Sequence, residues 1–444
     1  MMTVTRHTLN NGLTILLKEV HSAPITSWWL LYRTGSRSEP TGKTGISHWV
    51  EHMLFKGTPR YPVGVLDREI DRLGGMWNAQ TAADYTAYFA TLPADKITLA
   101  LDIEADRMVN ARFDPDDVEA ERSVVIAERQ GLENSPLFWL NEEVTAAAFR
   151  VHGYHHDVIG DMADLTTMTR DDLYAHYRAH YHPDNAIAVA VGDFDTADLL
   201  AAIEAHYGDL PPRSTPARPL HRPEPPQSGE RRVVVERPGT TGFIEVVYRS
   251  LPADHPDWHA LALLGSVLVG AVGIGGEEVD NKTSRLYHAL VHSELAAEVS
   301  GGLQPAIDPF LFEISLTLRD GIDHAQAEAA LDAALQQVAD DGISAAELAR
   351  ARKQAQALFA YSTEGVTEQA FWLAFAENLG DYRWFEDYLP RLEAVTLDQV
   401  NAVARAVLRP QNRVVGWFVP TDLDGLALAE DDGEAAYDEV AYDD

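Results

Sequence analysis

The stretch Thr44-Gly45-Ile46-Ser47-His48-Trp49-Val50-Glu51-His52-Met53-Leu54-Phe55-Lys56-Gly57-Thr58 decides how this chain is read. Its apolar residues Ile46, Trp49, Val50, Met53, Leu54 and Phe55 recur at helical spacing. Ser47 or Thr44 can cap the start of such a helix, and Gly57 suits its end. His48 and His52 then stand one turn apart on the same face. Two imidazoles so placed can hold one zinc ion at roughly 2.0–2.1 Å. Glu51 lies close to that face without being a ligand. A metal lowers the pKa of bound water and a neighbouring carboxylate takes its proton, which is the chemistry of hydrolysis.

The order His-x-x-Glu-His inverts the commoner zinc-protease motif. Alone it is moderately specific: among 17 histidines and 69 acidic residues, two solvated histidines and a Glu can fall this way on a surface helix. The flanking Trp49, Val50, Met53, Leu54 and Phe55 instead mark a largely buried helix. Buried imidazoles and a carboxylate need partners, and a metal supplies one. A zinc site also needs a third protein ligand and an open fourth position. Val118, Val124, Val125 and Ile126 suggest a second packed helix, entered through Asp114-Pro115 with Asp114 as cap. Glu121 and Glu128 share one face of it, two turns apart. One can bind metal while the other orients a ligand from behind. The plain alternative is two solvated acids on an amphipathic helix.

His48-x-x-Glu51-His52 followed by Glu121-Arg122-x-Val124-Val125-x-x-Glu128 resembles the pitrilysin and mitochondrial-processing-peptidase family of zinc peptidases, M16-type inverzincins. Asn11-Gly12-Leu13, the run His52 to Thr58, and Gly74-Gly75-Met76-Trp77-Asn78-Ala79-Gln80-Thr81 with Asp84-Tyr85-Thr86 add to the likeness. So do Tyr181-His182-Pro183-Asp184-Asn185-Ala186 and Val191-Gly192-Asp193-Phe194. The likeness covers most of residues 1–200; the second half resembles the family more loosely. It implies that His48, His52 and Glu128 are zinc ligands, Glu51 the general base and Glu121 a supporting carboxylate. It places Asn78, Ala79 and Thr81 on the strand against which substrate peptides pair. The implied fold is α+β: two structurally duplicated domains, each an antiparallel-rich sheet packed with helices, forming half of a clam-shell chamber.

One departure matters. Complete enzymes of this family usually carry an Arg and a Tyr after Ser-Arg-Leu in the second half, where they bind the substrate carbonyl and the oxyanion. Here Ala297 stands at the Tyr position, and no Arg stands near Leu290 to His292. Losing such donors costs on the order of 10²–10³ in rate. The resemblance therefore implies the zinc-bearing subunit of a two-subunit bacterial type, a heterodimer whose homologous partner supplies the pair; a homodimer is the other arrangement. The expected function is a zinc-dependent metallo-endopeptidase acting on extended peptides. A non-catalytic structural or assembly subunit is the alternative, and the complete ligand set argues against it. A metal hydrolase for non-peptide substrates has only the generality of zinc chemistry behind it.

With 444 residues the chain exceeds one ordinary core, and 46% apolar content suits globular packing. No apolar run is long enough to cross a membrane. Met1-Met2-Thr3-Val4-Thr5-Arg6-His7 lacks the basic and apolar regions of a signal peptide, so the expected compartment is the cytoplasm, or the periplasm if a leader was removed. Disulfides are excluded, since the chain has no cysteine. A net charge of −34 argues against nucleic acid and anionic membranes as partners. A negative interior would attract basic peptides, but the total reads first as a solubility feature of the whole surface.

Along the chain, Asn11-Gly12 signals a turn, Ile25–Tyr32 a core strand, and residues 79–92 one alternating strand. If that strand lies at a sheet edge, a peptide can extend the sheet through main-chain bonds. His152, His155 and His156 read as a solvated loop. A Pro-rich linker at 211–229, a candidate hinge, separates a catalytic domain (1–210) from a degenerate repeat (230–429); an acidic tail (430–444) follows. In the repeat, Trp258 to Gly270 takes the place of the metal helix without His-x-x-Glu-His.

Overall fold

The computed structural model describes residues 4–213, 222–273 and 282–422. The expected acidic tail and the middle of the expected linker lie outside them. The first half runs β1 (Thr5–Thr8), β2 (Thr14–Glu19), β3 (Ile25–Tyr32), α1 (Ile46–Leu54), α2 (Val65–Arg72), β4 (Met76–Thr81), β5 (Thr86–Pro93), α3 (Ile97–Asn110), α4 (Pro115–Glu133), α5 (Pro136–Ala148), α6 (Met162–Thr167), α7 (Arg170–His180), β6 (Ala186–Gly192) and α8 (Thr196–Tyr207). The second runs β7 (Arg231–Pro238), β8 (Phe243–Arg249), α9 (Trp258–Leu268), β9 (Ala296–Leu303), β10 (Leu311–Leu318), α10 (His324–Asp341), α11 (Ala345–Tyr361), α12 (Val366–Leu379), α13 (Arg383–Glu386), α14 (Tyr388–Ala394), α15 (Leu397–Val407) and β11 (Arg413–Thr421).

The strands order as β1-β2-β6-β3-β5-β4 in one sheet and β7-β11-β8-β10-β9 in the other. Apart from β1, the sheets are wired alike. β2 pairs parallel with β6 as β7 does with β11, and the other neighbours pair antiparallel. α1 follows β3 as α9 follows β8. The duplicated α+β architecture is therefore present in the connectivity itself.

Successive side chains of a strand point to opposite faces. Trp28, Leu30 and Tyr32 of β3 pack with α1 and α3, whereas Trp29 and Leu31 pack against α12 from the second half. The loan is mutual. α5 of the first half sets Leu140 and Val144 against Val247 and Val414 of the second sheet. Polar ties reinforce it, with Arg6 Nη2 2.8 Å from Glu377 Oε1 and Asn141 Nδ2 donating to Glu245 Oε1 at 3.1 Å. The halves thus share a core, and bending at the Pro-rich linker would have to expose it.

Two expectations change, and one helix, α5, is added. Residues 79–92 form a hairpin rather than one strand: β4 and β5 pair from Met76↔Thr91 to Thr81↔Thr86, with the chain turning at 82–85. The region after residue 136 contains α5. The histidine loop is not solvated: His152 Nε2 lies 3.1 Å from Asp308 of the second half, and the His156 side chain sits 5% exposed, 3.8 Å from buried Glu39. Burial against Glu39 of the first half and Asp308 of the second overrides the polar, glycine-containing composition.

Candidate metal centre

The site is built from the start of α1. Neither Thr44 nor Ser47 caps that helix; the N-cap is Gly45, with φ +84°, and the cap comes through space. The buried Glu39 carboxylate accepts from Gly45 N and Ser47 N, each at 2.8 Å. Burial pushes its pKa up to about 8, against the pull of those donors. Thr44 instead bonds Asp164 at 2.7 Å. A Cβ on Gly45 would stand 2.5 Å from the Ile159 carbonyl oxygen, so the backbones touch there. Arg129 of α4 donates to the next carbonyl, Gly160 O, at 2.5 Å. Both helices that carry the site are anchored to this one turn.

On α1, His48 Nε2 and His52 Nε2 face each other at 3.2 Å. From α4, Glu128 Oε2 approaches them to 3.8 and 3.7 Å, and its side chain is 45% exposed. The three donor atoms lie within 4.8 Å of one another, the one such His/Asp/Glu group among the described residues. Two turns back on α4, Glu121 Oε1 meets His52 Nδ1 at 2.8 Å and its other oxygen pairs with Lys56. The carboxylate makes Nδ1 the donor, which leaves the Nε2 lone pair of neutral His52 aimed at the cluster. Glu51 Oε2 accepts from Thr81 Oγ1 at 2.6 Å.

The electrostatics follow from this packing. Burial, then the neighbouring His52, pushes His48 down to about 4, so it is neutral near pH 7. Burial also disfavours charge on His52, but the Glu121 hydrogen bond and nearby carboxylates outweigh it and raise its pKa. The same bond lowers Glu121. Burial raises Glu51, opposed first by the Thr81 bond.

The donor set fits zinc. In a tetrahedral site with Zn–N of about 2.0–2.1 Å, two imidazole nitrogens stand roughly 3.3 Å apart. The observed 3.2 Å is close to that, with a carboxylate oxygen nearly equidistant from both. Glu51 is held aside by Thr81, off the ligand cluster.

The expected substrate residues lie on the edge strand β4. Ala79 and Thr81 pair with Tyr88 and Thr86 and share the face toward α1, whereas Asn78 pairs with Phe89 and points to the opposite face. Asn78 Oδ1 accepts from Ala79 N at 2.9 Å. In the second half, Ala297 is exposed at the start of β9, and Arg285 is committed to Glu347 at 2.7 Å.

Sequence reasoning did not find Glu39, nor a buried network behind Thr81. Arg37 Nε lies 2.9 Å from Asp84 Oδ1 and its Nη1 2.6 Å from Asp308 Oδ2, while Tyr154 Oη donates to Asp84 at 2.8 Å. This network pins the turn after β4 to the second half. Its members come from separate loops with no shared spacing to betray them.

Residues 14–162 match the family model described as "Insulinase (Peptidase family M16)", and residues 167–355 match "Peptidase M16 inactive domain". An uncharacterized zinc protease of Mycobacterium tuberculosis is 30% identical over 415 residues, 91% of this chain and 90% of the relative. This chain belongs to peptidase family M16. Among solved structures, a protease from Helicobacter pylori superposes with a TM-score of 0.88 at 26% identity, covering 95% of this chain and 100% of that one. The periplasmic protease PqqL from Escherichia coli shares the fold at a TM-score of 0.74 and 18% identity; all of this chain covers 52% of PqqL. The M16 chain described here thus matches about half of that longer molecule.

Proposed function

We propose that this chain is the metal-bearing subunit of a zinc-dependent endopeptidase that cleaves extended peptides. The convergence of His48, His52 and Glu128 beside a separately held Glu51 carries this reading. When bound by those three residues, zinc supplies Lewis acidity toward the scissile carbonyl and toward water. The chain's own residues do the rest. Glu51 takes a proton from the attacking water and returns it to the leaving nitrogen, a task suited to a carboxylate whose burial raises its pKa. Thr81 holds that carboxylate in place, and Glu121 holds His52. A peptide adding to the free edge of β4 displaces Asn78 from the Ala79 N–H and lies along the Thr81–Glu51 contact.

The expected Arg/Tyr pair is the missing part: no Arg stands near Leu290 to His292, and Ala297 stands at the Tyr position. Ala297 and the committed Arg285 support a partner chain, homologous and bearing an Arg/Tyr pair, that completes the site. The match of the second half to an inactive domain favours a second reading, a non-catalytic subunit. Hydrolysis of a mixed unstructured peptide pool by the zinc-loaded chain separates them, with Glu51→Gln as blank. Activity that rises sharply on adding an Arg/Tyr-bearing homologue fits the proposal. Full activity from the chain alone removes the partner, and none with any homologue removes the enzyme.

A further inference from the structure

Residues paired across two strands share a face of the sheet. Gln80 pairs with Ala87, which belongs to the core shared with α12, so Gln80 points away from the metal and toward the seam between the halves. There it donates to Tyr85 Oη at 3.1 Å. Beside it opens a cavity of about 260 Å³. Its walls are the rings of Tyr85, Phe310, Phe371 and Phe375, and the amides of Gln80 and Gln304 add polar groups. Gln304 is exposed. Asp84 contributes to the lining, but its oxygens are taken by Arg37, Tyr154 and Ile307 N.

A peptide laid on the β4 edge sends alternate side chains to the two faces of the sheet. One set faces Thr81 and Glu51. The other set faces the seam, and at the Thr81 end of β4 it meets this cavity. We propose that the cavity is a specificity pocket for one large apolar or aromatic side chain of the bound peptide. Aromatic walls reward such a group, and a charged side chain would lose its water without gaining a free counter-ion. The inference rests on the peptidase reading above, and it adds a preference set by the second half of the chain, away from the metal.

The test uses the full zinc-loaded chain carrying Glu51→Gln, so that bound peptide is not consumed. Fluorescent ten-residue Ala/Ser peptides, each with Phe at a different position, are titrated by anisotropy. One position is expected to bind about tenfold tighter with Phe than with Ala or Asp. Gln304→Glu, at an exposed position, should erase that gain and favour Lys there; Phe371→Ala should reduce it. Binding without an apolar preference, or a preference indifferent to both variants, overturns the pocket and leaves the peptidase reading standing. Absence of peptide binding, together with no hydrolysis by the unsubstituted chain, overturns both.

Discussion

α1 and α9 occupy the same place in two sheets of the same wiring, yet only α1 carries part of the candidate metal cluster. α9 buries Trp258, His259, Ala260, Leu261, Leu263 and Leu264. Its one histidine is packed against Trp384 and Tyr388, and burial pushes it down to about 4. α11, α14 and α15 cover it. α1 buries Trp49, Val50, Met53 and Leu54 as deeply, but α4 leaves an opening at Glu128. The fold needs only the apolar positions of this helix. The candidate cluster arises where one face is left partly uncovered and given metal-competent side chains, and the same scaffold without them is a better-filled core.

Substitutions can break or sharpen that contrast. The largest effect is expected from Glu51→Gln, which should lower peptide hydrolysis about 10³-fold or more while zinc stays bound, measured by turnover alongside metal content. Zinc lost with that change, and kept in Glu128→Gln, would reverse the roles assigned here. In α9, Leu264→Ala should cost about 2–5 kcal/mol in denaturant unfolding and leave zinc stoichiometry intact. An equal stability loss from His48→Ala would erase the distinction between the helices. Glu121→Gln should weaken zinc about 10–100-fold by loosening His52, read in a competition titration with a chelator.

The smallest effect lies in the second sheet. Burial pushes Glu245 up to about 8, with Glu313 adding, and Glu313 itself up to about 7. These acids favour folding in their neutral form. That contribution is complete below their unfolded pKa near 4.5 and is lost as pH rises through 7 to 8. Glu245→Gln should therefore flatten the fall in stability between pH 5 and 9, by on the order of 1–2 kcal/mol. An unchanged pH profile of Tm would mean the carboxylates find compensation on ionising.

Local patterns made much of this legible. The apolar spacing around His48 and along Val118–Ile126 pointed to α1 and α4, and the continuous apolar run at the end of Ile25–Tyr32 pointed to β3 as a core strand. The likeness to the family pointed to the residues that now cluster. What stayed hidden depends on distant partners. Nothing near Glu39 says that it caps α1, because its acceptor role exists only once the loop folds back. The β4–β5 turn, Ala82-Ala83-Asp84-Tyr85, contains no Gly, Pro or Asn; it is held by Arg37 and Tyr154 instead. β9 escaped notice because Gly301 and Gly302 dilute its strand pattern. Most of all, no local signal announces that α5 and α12 pack on each other's sheets.

That mutual loan has a consequence for how the chain is made. At a synthesis rate of about 5–20 residues per second, α12 emerges roughly 10–40 s after the first sheet is complete. Through that interval Trp29, Leu31 and Val189 have no cover, and α5 waits for a sheet not yet translated. Burial of that face is thus timed by the arrival of residues 366–379.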